Sequence, residues 1–211
     1  MKNIRISSVS PQYAKPALLG LILPLLTKSA AMGLLPAAAI QEITPQTLRV
    51  VLDALQGSGL IKTQRARLQP LLDSKRSDPP QSVVTALAET LDAIEHSPTP
   101  EREWSTMREV FGEEQLAELT SVSVSSLKRY LKAERPTPGD VADRLHYLAM
   151  IVADLSGSYN ELGIQRWFER PRAQLENKSP RRLLGADWNP GSPAAQRIRD
   201  LAKSLSAAGA T

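Results

Sequence analysis

The sequence predicts an all-α protein in three parts: an N-terminal helical domain, a helix-turn-helix domain and a small helical C-terminal domain. Apolar residues recur at spacings of three and four along most of the chain, as they do in amphipathic helices. Residues 116–134, LAELTSVSVSSLKRYLKAE, have the pattern of a helix-turn-helix motif. Eight of the nine aromatic residues lie beyond residue 100, which indicates two differently built cores. We therefore expect domains at residues 1–100, 101–155 and 156–211, with the first boundary in the proline-bearing segment His96–Pro100.

Composition places the chain among globular proteins and excludes several kinds of site. The chain has 211 residues, of which 42% are apolar and 23% are charged, so it is long enough to bury a sizeable core. A net charge of +4 permits nucleic-acid binding but does not by itself imply it. The chain has no cysteine, which excludes disulfides and thiolate zinc sites. Its two histidines are too few for a histidine-based metal site. We expect neither a structural metal nor a cofactor.

The segment Met1–Ile40 resembles a secretory signal in outline. Lys2 and Arg5 precede the apolar run Ala17–Leu26. This run of about ten residues falls short of the roughly 20 that a membrane-spanning helix needs, and prolines interrupt it. We therefore predict a buried helical hairpin in a cytoplasmic protein with no membrane span.

The rest of the N-terminal part predicts further helices. Thr44 is the expected N-cap of a helix that begins at Pro45 and ends near Gly57. After it we expect a turn or short strand at Gly59–Thr63. Two more helices are expected, at Arg65–Leu72 and at Ser82–Ile94. No group of residues here has the pattern of a catalytic or metal site. A helical packing domain is the simplest interpretation, with a dimerisation surface or a second nucleic-acid contact as alternatives.

Beyond the boundary, the apolar spacing predicts four helices, at Ser105–Val110, Glu113–Thr120, Val124–Ala133 and Gly139–Leu155. The second and third of these form the helix-turn-helix pattern. Ala117 supplies the small residue where the two helices cross, and Val122 in the turn is expected to enter the core. Ser121 stands where glycine is usual, so a left-handed conformation there costs about 1 kcal/mol.

The outer face of the third helix is the predicted DNA-contacting surface. Short hydroxyl side chains near a helix start can approach base edges or phosphates, and cations can reach phosphates or guanine acceptors. The predicted DNA-binding residues are Ser123, Ser125, Ser126, Lys128, Arg129 and Lys132. The alternative is that the three cations only solvate an exposed helix face.

The segment Trp167–Leu184, WFERPRAQLENKSPRRLL, is unusual for a domain that only binds DNA. Together with the upstream helix-turn-helix pattern, it is similar to the Xre/MbcA/ParS family of toxin-neutralising antitoxins. The resemblance spans about residues 104–205. Its matching positions are Trp167, Pro171, Leu175, Lys178, Ser179, Pro180, Leu183 and Leu184.

The resemblance implies a partner and a mode of action. The partner is a RES-domain toxin, an enzyme that consumes NAD, and the antitoxin inactivates it by covering its active site. The resemblance also implies autoregulation, in which a homodimer within a hetero-oligomer binds operator DNA. From the matching positions and from the cations near them, which are residue types that anchor interfaces, the predicted toxin-binding residues are Trp167, Arg170, Pro171, Lys178, Ser179, Pro180, Arg181, Arg182, Leu184 and Lys203.

The residues of this block also have local interpretations. Ser179 is the expected cap of a short helix that begins at Pro180. At least one of Trp167 and Phe168 is expected to be a core residue, since large aromatic side chains dominate small cores. Residues 185–191 are an insertion relative to the family, and Trp188 within them is either a further contact or a loop anchor.

Two other classes of function are a stand-alone regulator and an enzyme. A stand-alone helix-turn-helix regulator would dimerise or sense a ligand through its N-terminal half. We reject an enzyme because the chain has no glycine-rich phosphate loop and no nucleophile motif. His146 lies in an apolar helical stripe and is expected to be a core residue with a hydrogen-bond partner.

Overall fold

The structure, a computed structural model, describes residue 4 and residues 6–35, 40–73 and 79–208, the side chains only as far as 205. The fold is all-α: 68% of the chain is helical, and the described residues form ten α-helices and one two-stranded sheet. In chain order the elements are β1 (Ser8–Val9), α1 (Pro16–Ala31), β2 (Glu42–Ile43), α2 (Pro45–Gly57), α3 (Gln64–Arg67), α4 (Gln81–Glu95), α5 (Pro100–Leu119), α6 (Val124–Leu131), α7 (Gly139–Leu155), α8 (Glu161–Glu169), α9 (Pro180–Leu184) and α10 (Pro193–Ala208).

The chain divides into two compact units, residues 2–97 and residues 98–211. The division falls inside the proline-bearing segment at residues 96–100. The second unit holds both the predicted helix-turn-helix and the predicted partner-binding block. Within it, α7 packs against both α5 and α10. The separation of residues 101–155 from 156–211 stays a prediction.

In the first unit, α1 packs against α4 and is a single helix rather than part of a hairpin. The predicted hairpin is therefore wrong for the described residues. Pro24 lies inside α1, nine positions into the helix, and the chain continues as a helix through it. The buried face of α1 explains why: Leu18, Ile22 and Leu25 are at most 3% exposed, and their burial offsets the hydrogen bond that proline removes.

The predicted start of α2 is confirmed. Thr44 is the N-cap, with its hydroxyl accepting a hydrogen bond from the backbone N–H of Thr47 at 3.1 Å. The strand pair was not predicted: β1 and β2 are parallel, with Ser8 opposite Glu42 and Val9 opposite Ile43. Two residues per strand are too few for an alternating pattern to appear in the sequence. Residues 59–63 form a turn, not a strand.

In the second unit, α7 is the central helix and has the predicted bounds. Helix α5 has a kink at Gly112, whose φ of 75° lies in the left-handed region that glycine favours. The kink separates the two helices predicted on either side of it. Within the described parts of the chain, no helix is long and apolar enough to span a membrane.

Candidate nucleic-acid interface and partner-binding surface

The turn between α5 and α6 is tight and held by its own backbone. The N–H of Ser121 donates to the carbonyl of Glu118 at 3.0 Å, and the N–H of Val122 donates to that of Ala117 at 2.9 Å. Ser121 has a φ of 58°. The left-handed conformation anticipated at this position is therefore present in a residue that is not glycine, at a local cost of about 1 kcal/mol.

Helix α6 begins with a side-chain cap and is anchored by two buried residues. The hydroxyl of Ser123 accepts from the N–H of Ser126 at 3.1 Å. Leu127 is fully buried, and Tyr130 stacks on Trp104 of α5 with ring centroids 5.4 Å apart. Val122 is only half-buried, so the expectation that it fills the core is wrong.

The opposite face of α6 is open to solvent. Ser123, Ser125, Lys128, Arg129 and Lys132 are exposed, and Ser126 is half-buried because its hydroxyl lies against that of Ser123 at 3.0 Å. The predicted DNA-binding residues thus lie on or beside one surface of a short helix. We call these six residues the α6 face.

The cations of the α6 face differ in their surroundings. Lys128 Nζ lies 3.2 Å from a carboxylate oxygen of Glu113, and Lys132 Nζ lies 3.7 Å from one of Glu134. Arg129 makes no ion pair with any described residue. Its guanidinium is therefore the group on this face best placed to bind an anion.

The partner-binding block is partly core. Trp167 is 1% exposed and Phe168 is fully buried, and the two rings meet edge to face at 5.2 Å. Pro180 and Leu184 are also buried. Trp167, Pro180 and Leu184, three of the predicted toxin-binding residues, thus lie in the interior of this small unit, which large and apolar side chains fill. Their contact with a toxin stays a prediction.

Arg181 is paired at the surface with two glutamates of its own chain. Its Nε donates to Glu118 at 2.8 Å, a second nitrogen contacts the other oxygen of the same carboxylate, and a third lies 2.6 Å from Glu169. These carboxylates raise the pKa of Arg181, and Arg181 in turn lowers the pKa of Glu118. Arg181, one of the predicted toxin-binding residues, therefore links α9 to α8 and to the end of α5 through ion pairs within the chain. We call this pair of contacts the Arg181 clamp. Sequence reasoning missed this clamp because the two glutamates lie 63 and 12 residues away from Arg181.

The remaining predicted contacts lie at the surface. Arg170, Pro171, Lys178, Arg182 and Lys203 are exposed, and we call them the C-terminal cationic surface. Ser179 is half-buried and caps α9, accepting from the N–H of Arg182 at 3.3 Å, as predicted. Its hydroxyl is therefore used within the helix.

Trp188 is a loop anchor. It is 6% exposed, its Nε1 donates to the carbonyl of Leu119 at 2.8 Å, and its ring meets that of Tyr147 at 5.6 Å. Of the two roles considered for it, the structure supports the internal one. The loop that carries Trp188 lies against the turn before α6.

His146 is a core residue with a partner, as predicted. Its Nδ1 lies 2.6 Å from Oε1 of Glu103, and both side chains are buried. No group of three or more histidine, aspartate or glutamate residues among those described could hold a metal ion.

Comparisons of the chain with protein-family models, with curated proteins and with solved structures give no match.

Proposed function

We propose that this protein is a DNA-binding antitoxin of a type II toxin–antitoxin system. It acts in the cytoplasm, binds operator DNA through α6 and neutralises a RES-domain toxin through the C-terminal cationic surface. The toxin is held inactive because the antitoxin covers its active site. The antitoxin itself has no catalytic role.

The observation that carries the proposal is the two-sided character of α6. Leu127 and Tyr130 fix one side in the core, while the other side presents hydroxyls and three cations to solvent. A helix anchored in this way through its inner side is the arrangement that enters a major groove. The resemblance of residues 104–205 to the antitoxin family supports the second half of the proposal.

The exposed cations of the C-terminal surface suit a protein partner. Arginine is enriched at interfaces and makes bidentate contacts with carboxylates, so Arg170 and Arg182 are the expected main contacts. Lys178 lies 3.3 Å from Glu176 and would exchange this exposed pair for a partner group at little cost.

The test separates the two surfaces with a pair of single substitutions. Arg129→Ala is expected to weaken binding to operator DNA and to lower the slope of log Kd against log salt by about 0.9, the effect of one lost phosphate contact. Arg182→Ala removes the same charge from α9 and is expected to leave DNA binding unchanged. Equal DNA affinity of both variants and the unsubstituted protein would reject the α6 face as the DNA contact.

Co-expression tests the neutralising function. A RES-domain toxin encoded beside this chain should arrest growth, and the unsubstituted protein should restore it. Arg129→Ala is expected to restore growth as well, whereas a variant carrying both Arg170→Ala and Arg182→Ala is expected to restore it less. Failure of the unsubstituted protein to relieve the arrest would reject the antitoxin function.

A stand-alone regulator is the second candidate, and one observation favours it. Three of the ten residues predicted to bind the toxin are buried: Trp167, Pro180 and Leu184. In this case the α6 face would still bind DNA, but the protein would not co-purify with the toxin. Size-exclusion chromatography of the co-expressed pair distinguishes the two candidates.

A further inference from the structure

We infer that Trp188 and Arg144 are positioning residues that hold the turn before α6, and so keep the α6 face in the orientation that reads DNA. The inference rests on the proposed DNA-binding function and assigns a role in it to residues outside the α6 face. The contacts involved join three separate stretches of the second unit.

The end of α5 leaves carbonyl groups that need donors. The last carbonyls of any helix have no partner within that helix, and a buried carbonyl without a partner is destabilising. Here the carbonyl of Leu119 accepts from Nε1 of Trp188 at 2.8 Å. The carbonyl of Thr120 accepts from Nε of Arg144 at 3.1 Å. Two side chains distant in sequence thus supply hydrogen-bond donors to the carbonyls at the end of α5.

Arg144 links the turn to the loop that carries Trp188. Its guanidinium contacts the carbonyl of Trp188 at 3.4 Å and a carboxylate oxygen of Asp140 at 2.5 Å, in addition to Thr120. It is 7% exposed, so its charge is held in a largely desolvated position with acceptors on three sides. Lysine could not reproduce these contacts, because it has no planar fork of donors.

A further contact fixes the strained residue itself. The hydroxyl of Ser121 accepts from the N–H of Asp187 at 2.9 Å. Ser121 is the residue with the left-handed φ of 58°, and only Val122 separates it from Ser123, the N-cap of α6. Ser121 is therefore two residues from the N-cap that starts α6. Because the left-handed conformation is unfavourable for serine, external contacts are needed to keep it fully populated.

Hydrogen exchange of the full chain tests the positioning directly. Trp188→Phe removes the Nε1 donor and keeps an aromatic ring against Tyr147. We expect the amides of Val122, Ser126 and Leu127 to exchange about fivefold faster, while amides in the middle of α7 are unchanged. Ser121→Ala removes only the acceptor for Asp187 and is expected to act in the same direction, which keeps the test valid if Trp188→Phe folds poorly. Ile198→Val in α10 is the control, since it weakens the same core without touching the turn.

DNA affinity is the functional readout. Below the melting temperature of every variant, Trp188→Phe should bind operator DNA about fivefold more weakly than the unsubstituted protein, and Ile198→Val should bind equally well. If the unsubstituted protein does not bind DNA, the proposed function fails, while hydrogen exchange still decides the positioning role. If exchange and affinity in Trp188→Phe and Ser121→Ala match those of Ile198→Val, the inference is overturned.

Discussion

Lys128 and Arg129 are neighbours on α6, but the structure gives them different roles. The Lys128 ammonium is paired with Glu113 at 3.2 Å, whereas Arg129 has no carboxylate beside it among the described residues. Both pair members are solvent-accessible, with Lys128 55% and Glu113 31% exposed, so the pair contributes little stability. If the proposed function holds, this pair competes with DNA phosphates for the Lys128 ammonium.

Removing the charge of Glu113 should therefore strengthen DNA binding. Glu113→Gln releases Lys128 for a phosphate contact, and we expect the salt slope of binding to steepen by up to about 0.9. Glu114→Gln is the matched control, because it removes the same charge from an exposed side chain that does not contact Lys128. Fluorescence anisotropy with labelled operator DNA at several salt concentrations measures both. Identical slopes for the two variants would mean that Lys128 does not reach the DNA.

Ala133 is a second residue at which local geometry allows a prediction. It follows α6 with a φ of 54°, it is exposed, and its N–H donates to the carbonyl of Tyr130 at 3.0 Å. This is the helix-ending position that glycine favours, and alanine adopts it at a cost of about 1–2 kcal/mol. Glycine would lose about 0.4–1 kcal/mol through its more flexible unfolded state.

We expect Ala133→Gly to raise the free energy of unfolding by about 0.5–1 kcal/mol, as the difference of these two effects. Urea denaturation followed by circular dichroism measures it. The control is Ala173→Gly, at an exposed position whose φ is not positive, which should lower stability. A loss of stability in Ala133→Gly would show that the left-handed residue is not strained.

At the scale of elements, helices and their caps follow from the sequence because they depend on neighbours. The bounds of α7 and the caps at Thr44 and Ser179 were predicted from residues within one helical turn. The continuation of α1 through Pro24 was not predicted, because proline's local preference is outweighed by burial against α4, which is remote in sequence.

The candidate site shows the same limit. The α6 face follows from helical periodicity, and the structure places its residues together. The pairing of Arg181 with Glu118 and the contact of Trp188 with Leu119 join residues more than 60 positions apart. No local pattern separates an arginine bound to its own chain from one available to a partner. The assignment of Arg181 to toxin binding therefore stays a prediction.

Capping distinguishes a structural from a binding role for Ser179. Ser179→Ala removes the acceptor for the N–H of Arg182, and we expect the free energy of unfolding to fall by about 1 kcal/mol. Ser179→Asn retains a good capping side chain and is expected to keep most of the stability. Toxin affinity should be equal in both variants where they are fully folded. If toxin binding is lost in Ser179→Asn at unchanged stability, Ser179 is a direct contact.

At the scale of the whole molecule, the division near residue 98 separates the described helices into units with their own cores. The second unit includes α10, whose Ala195, Ile198 and Ala202 are fully buried, and α10 packs against the central helix α7. A helix-turn-helix cut off before α8 would therefore expose the apolar side of α7 to water. The candidate DNA-binding and partner-binding surfaces both lie in this second unit.

Residues 98–211 alone should therefore fold and bind operator DNA, whereas residues 101–155 alone should not. Both fragments contain α6 and its cap, so local helix propensity cannot separate them.

For the longer fragment we expect a single thermal transition with a heat-capacity change of about 1.5 kcal/mol per kelvin, the value for a domain of about 114 residues. The shorter fragment should lack a cooperative transition, because it has lost α10, which packs against α7. Scanning calorimetry and DNA-binding measurements on the two fragments give the comparison. A folded, DNA-binding fragment 101–155 would mean that the helix-turn-helix is a separate domain and that the contacts of Trp188 with the turn are not needed for it.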